Sequence, residues 1–455
     1  MNQKEMRNSM LKKYFQHLIF LCCLLFISIS INAQSFNPPE WSYDKAIYEV
    51  NLRQFTDQGN IKEFQGHLPR LKELGADILW FMPIHPIGEK SRKGTLGSYY
   101  SVKDFKAVNP EFGTLDEFKS MVKMIHKMGM YVIIDWVANH TAWDNKWIIE
   151  NPEFYTRDSL GKIIPPNPDW SDVADLNYDN KELWKEMIDA LKFWVEECDI
   201  DGYRCDVAGM VPIEFWIEAR TELEKIKNVF MLAEWDTPEV HLAFDMSYDW
   251  DLHHLMNGIA KGEKNAADLI EHLNKNEEIF PANAFRMQFT SNHDENSWNG
   301  TEFERLGNSA ETFAVLTCLI PDMPLVYTGQ EAKNTKRLSF FEKDIVEWRD
   351  DQMFKIYLEL FQLKKNNKSL QNGKSGGDMI YLSSSDAVNI FAFTRSIEND
   401  KVFAIFNLSD TTIRAELTGD NMQGSYKNCF TGKLESFSSK ESFKLNPWEY
   451  RIFTK

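Results

Sequence analysis

Tyr131-Val132-Ile133-Ile134-Asp135-Trp136 is a run of β-branched and aromatic residues that closes on a carboxylate. Such side chains favour an extended chain, and a near-continuous apolar run suits a strand buried on both faces. The arrangement recurs in both directions along the chain. Strand-like runs fall at 46–55, 77–84, 131–136, 201–207, 229–233, 243–248, 286–290 and 324–327. Amphipathic helical patterns separate them at 61–74, 115–128, 181–197, 214–225, 266–276 and 309–319, and a last one at 352–365 closes the series. Strands that alternate with helices lie parallel. Eight alternations therefore predict an α/β fold, an eight-stranded parallel (β/α) TIM barrel over residues 41–367.

In a closed parallel barrel, working side chains gather at the C-terminal ends of the strands and on the loops that follow. The connection after the third strand, 141–180, is long, holds Pro152, Pro165, Pro166 and Pro168, and has no clear period. It is expected to be a short loop domain lying over that end of the barrel. Beyond residue 367 the texture changes to short alternating runs at 379–383, 388–394, 401–407 and 411–417, which predict a C-terminal β-sandwich domain over 373–455.

Composition narrows the class further. The chain has 455 residues, 43% hydrophobic and 26% charged, an ordinary globular balance. Lys4, Arg7, Lys12 and Lys13 precede an apolar run from Leu18 to Ile31 and a small residue, Ala33, so residues 1–33 read as a signal peptide. Its removal takes away four positive charges and one negative, so the formal charge goes from −17 to −20. Nucleic acid is not an expected partner of so acidic a chain. The expected location is exported, either periplasmic or extracellular, with no stable membrane association after cleavage. Oligomeric state leaves no mark in the sequence. Cys198, Cys205, Cys318 and Cys429 lack metal-ligand spacing and are expected to be buried free thiols.

The polar residues at strand ends carry the chemistry. Asp135 ends the third strand, Asp206 the fourth and Glu234 the fifth, and His293 and Asp294 follow the seventh. Arg204 and Asp206 are two apart, so the strand period puts the cation beside the carboxylate, which is expected to keep Asp206 ionised as a nucleophile. Glu234 follows an apolar strand and precedes Trp235, a desolvated setting that is expected to raise its pKa and suit it to donate a proton. Carboxylates on adjacent strands suit a short separation.

These residues sit in four short motifs: Asp135-Trp136-Val137-Ala138-Asn139-His140, Gly202-Tyr203-Arg204-Cys205-Asp206, Ala233-Glu234-Trp235 and Ser291-Asn292-His293-Asp294. Together they resemble the four signatures of the α-amylase family, glycoside hydrolase family 13, over nearly the whole mature chain. The resemblance implies a glycosidase that cuts α-1,4-glucosidic bonds in starch, glycogen or maltooligosaccharides, with Asp206 as nucleophile, Glu234 as acid and base, and Asp294 stabilising the transition state. It implies sugar contacts from His140 and His293, with Asp135, Arg204 and Trp235 also placed in the substrate site. Tyr100-Ser101-Val102-Lys103-Asp104 resembles a loop of the family that offers an aromatic platform, here Tyr100, and Asp175-Leu176-Asn177 resembles an additional signature.

The chain also departs from the pattern. Where many members carry a Lys-His pair after the nucleophile, Gly209-Met210 stands here, which weakens the case for a calcium enzyme. Asn139 could ligate calcium, but 141–180 has no acidic array with ligand spacing. No cofactor is required for the chemistry. Of Trp136, Trp143, Trp147, Trp170, Trp235 and Trp298, about a third are expected to meet substrate, since most tryptophans pack. Two alternatives stay open: a neopullulanase- or cyclomaltodextrinase-like or transglycosylating enzyme, and a glucan-binding protein without activity, whose mark would be a lost carboxylate.

Overall fold

Eight parallel strands close on themselves in the computed structural model, which describes residues 36–349 and 351–455. The leader expected over 1–33 lies outside the described residues. In chain order the strands are β1 (Ile47–Val50), β2 (Ile78–Phe81), β3 (Tyr131–Trp136), a short pair β4 (His140–Ala142) and β5 (Val173–Asp175), then β6 (Gly202–Cys205), β7 (Phe230–Ala233), β8 (Met246–Tyr248), β9 (Phe285–Gln288) and β10 (Met323–Tyr327). The barrel runs β1-β10-β9-β8-β7-β6-β3-β2 and back to β1, every pairing parallel, so β7 lies across the ring from β1.

Alternation along the strands sorts side chains into two cores. Ile47, Ile78, Trp80, Ile133, Phe230, Leu232, Met246, Phe285, Met287, Met323 and Leu325 fill the barrel interior. Their neighbours, such as Tyr48, Leu79, Val132, Tyr203 and Met231, point outward into a larger core under the helices. The helix Lys181–Cys198 illustrates the outer layer. Asn180 caps it by accepting from the Glu182 N–H, and Leu183, Trp184, Met187, Ile188, Leu191, Trp194 and Val195 are buried along one face. Each such side chain contributes roughly 1.5–3 kcal/mol of burial. Continuing each inward row upward reaches the polar residues: Glu49 after Ile47, Asp135 after Ile133, Glu234 after Leu232.

The first strand is shorter than expected. At Asn51 the chain leaves the sheet and turns helical over Leu52–Phe55, so an apolar run read as one strand divides into two elements. The connection after β3 is not structureless: β4 and β5 pair antiparallel, with His140 opposite Asp175. The helix Trp250–Ala260 after β8 is also additional to the sequence expectation. Nine more strands follow the barrel: β11 (Asp378–Tyr381), β12 (Ser383–Ser384), β13 (Ile390–Ile397), β14 (Asp400–Asn407), β15 (Ile413–Thr418), β16 (Gly424–Asn428), β17 (Leu434–Phe437), β18 (Lys440–Leu445) and β19 (Tyr450–Thr454). They form a six-stranded sheet, β11-β13-β14-β19-β16-β17, and a three-stranded one, β12-β15-β18. One face of β13 and β14 packs on the second sheet, through Ala392, Phe403 and Ile405. Their other face, with Phe391, Phe393 and Phe406, joins the core beneath the barrel helices.

Candidate active site

Arg204 is the centre of the site. Its side chain is fully buried at the end of β6, and its Nη1 donates to Asp135 Oδ1 at 2.9 Å and to Asp206 Oδ1 at 3.0 Å. Nη2 lies 2.6 Å from Glu234 Oε1, as a charge contact without the angle of a directed hydrogen bond. Nε donates to Tyr248 Oη at 3.2 Å. One guanidinium thus touches carboxylates from three adjacent strands, β3, β6 and β7, because alternation aims all of them inward. Asp135 is further fixed by Trp80 Nε1 at 3.2 Å and Tyr100 Oη at 3.0 Å, both donating to Oδ2.

Glu234 Oε2 accepts from the Val207 N–H at 2.8 Å. Val207 holds φ at +38°, a left-handed conformation that a β-branched residue adopts at a cost of about 1–2 kcal/mol. The strained turn after β6 is what turns this N–H toward the glutamate.

Both carboxylates, Asp206 and Glu234, are shifted in the same direction, which differs from the expectation from sequence for Asp206. Burial pushes Glu234 up to about 7 against the pull of Arg204, with Asp206 and Asp294 adding to the rise. Asp206 is not held low by Arg204. Burial outweighs the cation and, with help from Asp135 and Asp294, pushes it up to about 6. Desolvation of a carboxylate is the larger effect at this depth, and the guanidinium is shared among three of them. Both carboxylates are thus raised, and they titrate as one coupled pair.

Above these groups lies a cavity of ≈ 350 Å³, onto which Asp206, Glu234, Asp294, Tyr100 and His140 all open. Asp294 is the most exposed of the three carboxylates at 39%, with its Oδ2 3.3 Å from His293 Nε2. His140 is kept neutral, its pKa lowered to about 4 by burial. Arg204, Asp135 and His293 stand behind the cavity wall rather than in it, and Trp235 lies to one side, over Gly209. Of the six tryptophans singled out from sequence, Trp170 and Trp298 line the cavity.

Several participants carried no motif. Glu49, wholly buried on β1, has its Oε1 2.5 Å from His293 Nδ1, and His293 Nε2 meets Tyr100 Oη at 2.7 Å. Its signal was available: a carboxylate on the inward row of the first strand. Lys93, Asp172, Phe340 and Phe341 also line the cavity, from loops whose placement no local pattern encodes. Asn139, named from sequence as a possible calcium ligand, is buried beside His140. The Asn139 side-chain Nδ2 pairs with His140 Nδ1 at 3.2 Å, its backbone carbonyl accepts from Leu176 N–H, and among the described residues no three His, Cys, Asp or Glu gather as metal ligands.

A closed parallel barrel with carboxylates converging on one mouth defines a class that holds many chemistries, and comparison with known proteins narrows it. Residues 33–160 and 167–347 match the α-amylase catalytic domain. A crystal structure of a maltogenic α-amylase from Thermotoga neapolitana superposes with a TM-score of 0.84 at 29% identity, covering 90% of this chain and 98% of that one. An α-amylase from Lactobacillus plantarum gives 0.82 at 30% identity, covering 91% and 99%. An α-amylase from Haloarcula japonica is 24% identical over 82% of this chain, which spans 56% of that relative's length. The chain belongs to the α-amylase family, glycoside hydrolase family 13, and is a glycosidase of α-glucan chemistry.

Proposed function

We propose that this chain is a retaining hydrolase of α-1,4-glucosidic bonds in starch, glycogen or maltooligosaccharides. The observation that carries the hydrolase reading is the shared guanidinium: Arg204 touches Asp206 and Glu234 through its two terminal nitrogens, which sets both carboxylates beside one bond, and retention is what the family resemblance adds. Asp206 attacks the anomeric carbon as the bond to the leaving oxygen breaks, and Glu234 gives that oxygen its proton. Water then attacks the same carbon, Glu234 takes a proton back, and Asp206 leaves. Asp294, beside His293, stabilises the positive charge that builds on the ring. Tyr100 offers its ring to the sugar's C–H face and His140 its neutral imidazole to a hydroxyl, while Asp135 and Arg204 hold the machinery from behind and Trp235 flanks the leaving-group side.

Asp206→Asn should lower activity on soluble starch by about 10³-fold or more, with the fold intact by circular dichroism. NMR of the first product should give the α anomer, whereas a β anomer, or full activity in Asp206→Asn, defeats the reading. A transferring or cyclodextrin-opening relative would use the same intermediate. Exposed Met210 and partly exposed Trp235 beside Glu234 leave room for a sugar acceptor, so product analysis on pure maltotriose distinguishes hydrolysis from transfer. An exported enzyme, in the periplasm or the medium, is part of the same proposal and rests on the sequence of residues 1–33.

A further inference from the structure

The two halves of the barrel mouth are built differently. Glu234 ends β7, and across the ring from β7 stands β1, flanked by β2 and β10. A proton donor lies beside the leaving group, so the leaving chain runs toward Glu234 and the retained sugar toward the loops after β2, β9 and β10.

Those loops are tied to one another. The segment 93–97, in the loop after β2, is the fastening. On one side Leu96 N–H donates to Phe341 O at 3.1 Å and Thr95 N–H to Glu342 Oε1 at 2.8 Å, both in the loop after β10. Gly94 packs so closely there, with φ +63°, that a Cβ would come within 2.6 Å of Phe341 Cβ. From beneath, buried Arg53 donates to Gly97 O at 3.1 Å and lies 3.4 Å from Phe340 O. On the other side Lys93 Nζ lies 3.1 Å from Asp172 Oδ1 and donates to Asp169 O at 2.6 Å, both in the excursion after β3. The loop after β9 joins through Ser297 Oγ to Leu338 O at 2.8 Å and through Trp298 against Phe340, ring centroids 5.2 Å apart. Lys93, Asp172, Trp298, Phe340 and Phe341 all line the cavity itself, so these ties form its wall.

Among the described residues the Glu234 side is more open, its turn after β6 held to the next loop by Val207 N–H on Glu234 Oε2 and by Gly209 against Trp235. The turn after β6 is short, Met210 on it is 44% exposed, and Trp235 lies partly exposed against Gly209.

We propose that the Lys93–Asp172 pair and the segment 93–97 wall off the retained-sugar side of the cavity, so that the enzyme accepts only the non-reducing end of an α-glucan and removes a short, fixed unit. The cavity of ≈ 350 Å³ runs from Val207 and Glu234 at one end to Lys93, Asp172 and Phe341 at the other, and so spans both sides of the bond that is cut. The Lys93–Asp172 contact stands in the cavity wall on that side, where a longer chain would meet it. The inference rests on the hydrolase reading and adds chain-end specificity to it. Lys93 and Asp172 act here as specificity determinants.

The experiment compares maltoheptaose with maltoheptaose carrying an ethylidene cap on its non-reducing end. The wild-type protein should cleave the capped substrate at least about tenfold more slowly, and the first product from the uncapped one should be a single short sugar. Lys93→Ala and Asp172→Asn each remove the ion pair, and each should raise the ratio of capped to uncapped cleavage severalfold. The second keeps the side-chain shape, should the first disturb folding. Equal wild-type cleavage of both substrates, or a product ladder from the outset, overturns the proposal and leaves the hydrolase reading standing. An unchanged ratio in both variants overturns the role of the pair. Inactivity of the wild type on uncapped maltoheptaose defeats the hydrolase reading, and chain-end specificity falls with it.

Discussion

At Glu49 a carboxylate with no exposure faces the ring of His293, which is itself buried against Tyr100 and Asp294. Burial opposes charge on the imidazole, but the carboxylates of Asp294 and Glu49 outweigh both burial and the repulsion of Arg204, and push its pKa up to about 9 from 6.5. A histidine with a raised folded pKa adds stability that is fully present below about 6.5 and is lost as pH rises through about 9. Replacing Glu49 by Gln keeps the shape and removes one of the two partners. Thermal melts across pH should therefore fall between pH 6.5 and 9 in the wild type and fall less steeply in Glu49→Gln; parallel profiles would refute the assignment. Activity reports a second pair of groups. With Asp206 and Glu234 both raised as a coupled pair, kcat/KM should follow a bell whose two limbs are the apparent titrations of that pair, displaced upward from ordinary carboxylates. Glu234→Gln should lose the basic limb and retain more activity on an aryl glycoside whose leaving group needs no proton.

The elements carry predictions of their own. Gly209 lies under the Trp235 indole, where an added Cβ would come within 2.1 Å of the ring. Gly209→Ala must displace Trp235, so tryptophan fluorescence should change and KM for maltotriose should rise severalfold with kcat less affected. At the helix Leu115–Lys127 a capping box joins Thr114 and Glu117, and Thr114→Ala should lower stability by about 1 kcal/mol in a denaturant titration. At this scale the barrel was legible. All eight of its strands coincide with apolar runs, because strands buried on both faces must be apolar nearly throughout. What escaped had a local reason. β4 and β5 are three residues each, too short to display a period, and Trp250–Ala260 mixes His253, His254 and Asn257 into its helical pattern.

Across the whole molecule, residues 37–455 form one compact unit in which the C-terminal sheets are fastened to the barrel. Arg395, from β13, is buried and donates to Leu319 O at 3.1 Å, Ile320 O at 3.0 Å, Gln371 O at 3.2 Å and Gly377 O at 3.3 Å. Arg395→Met should cost about 3 kcal/mol or more, and calorimetry of the wild type should give one unfolding transition. Truncation before residue 373 should leave the barrel insoluble, since it strips Phe391, Phe393 and Phe406 from the core they share with the helices. Two resolved transitions, or a soluble truncated barrel, would count against this.

The sequence alone determined the alternation of eight strands with helices, the shared face of Arg204 and Asp206, and the carboxylates Asp135, Asp206, Glu234 and Asp294 after their strands, because period and position within a strand are local properties. It could not determine that burial outranks Arg204 in setting the acidity of Asp206, nor that Glu49 lies beside His293, some 240 residues further along. Nor could it bring Lys93 to Asp172 and Leu96 to Phe341. Desolvation and loop-to-loop contact depend on what the whole ring of strands carries into one place, and only the closed tertiary structure decides that.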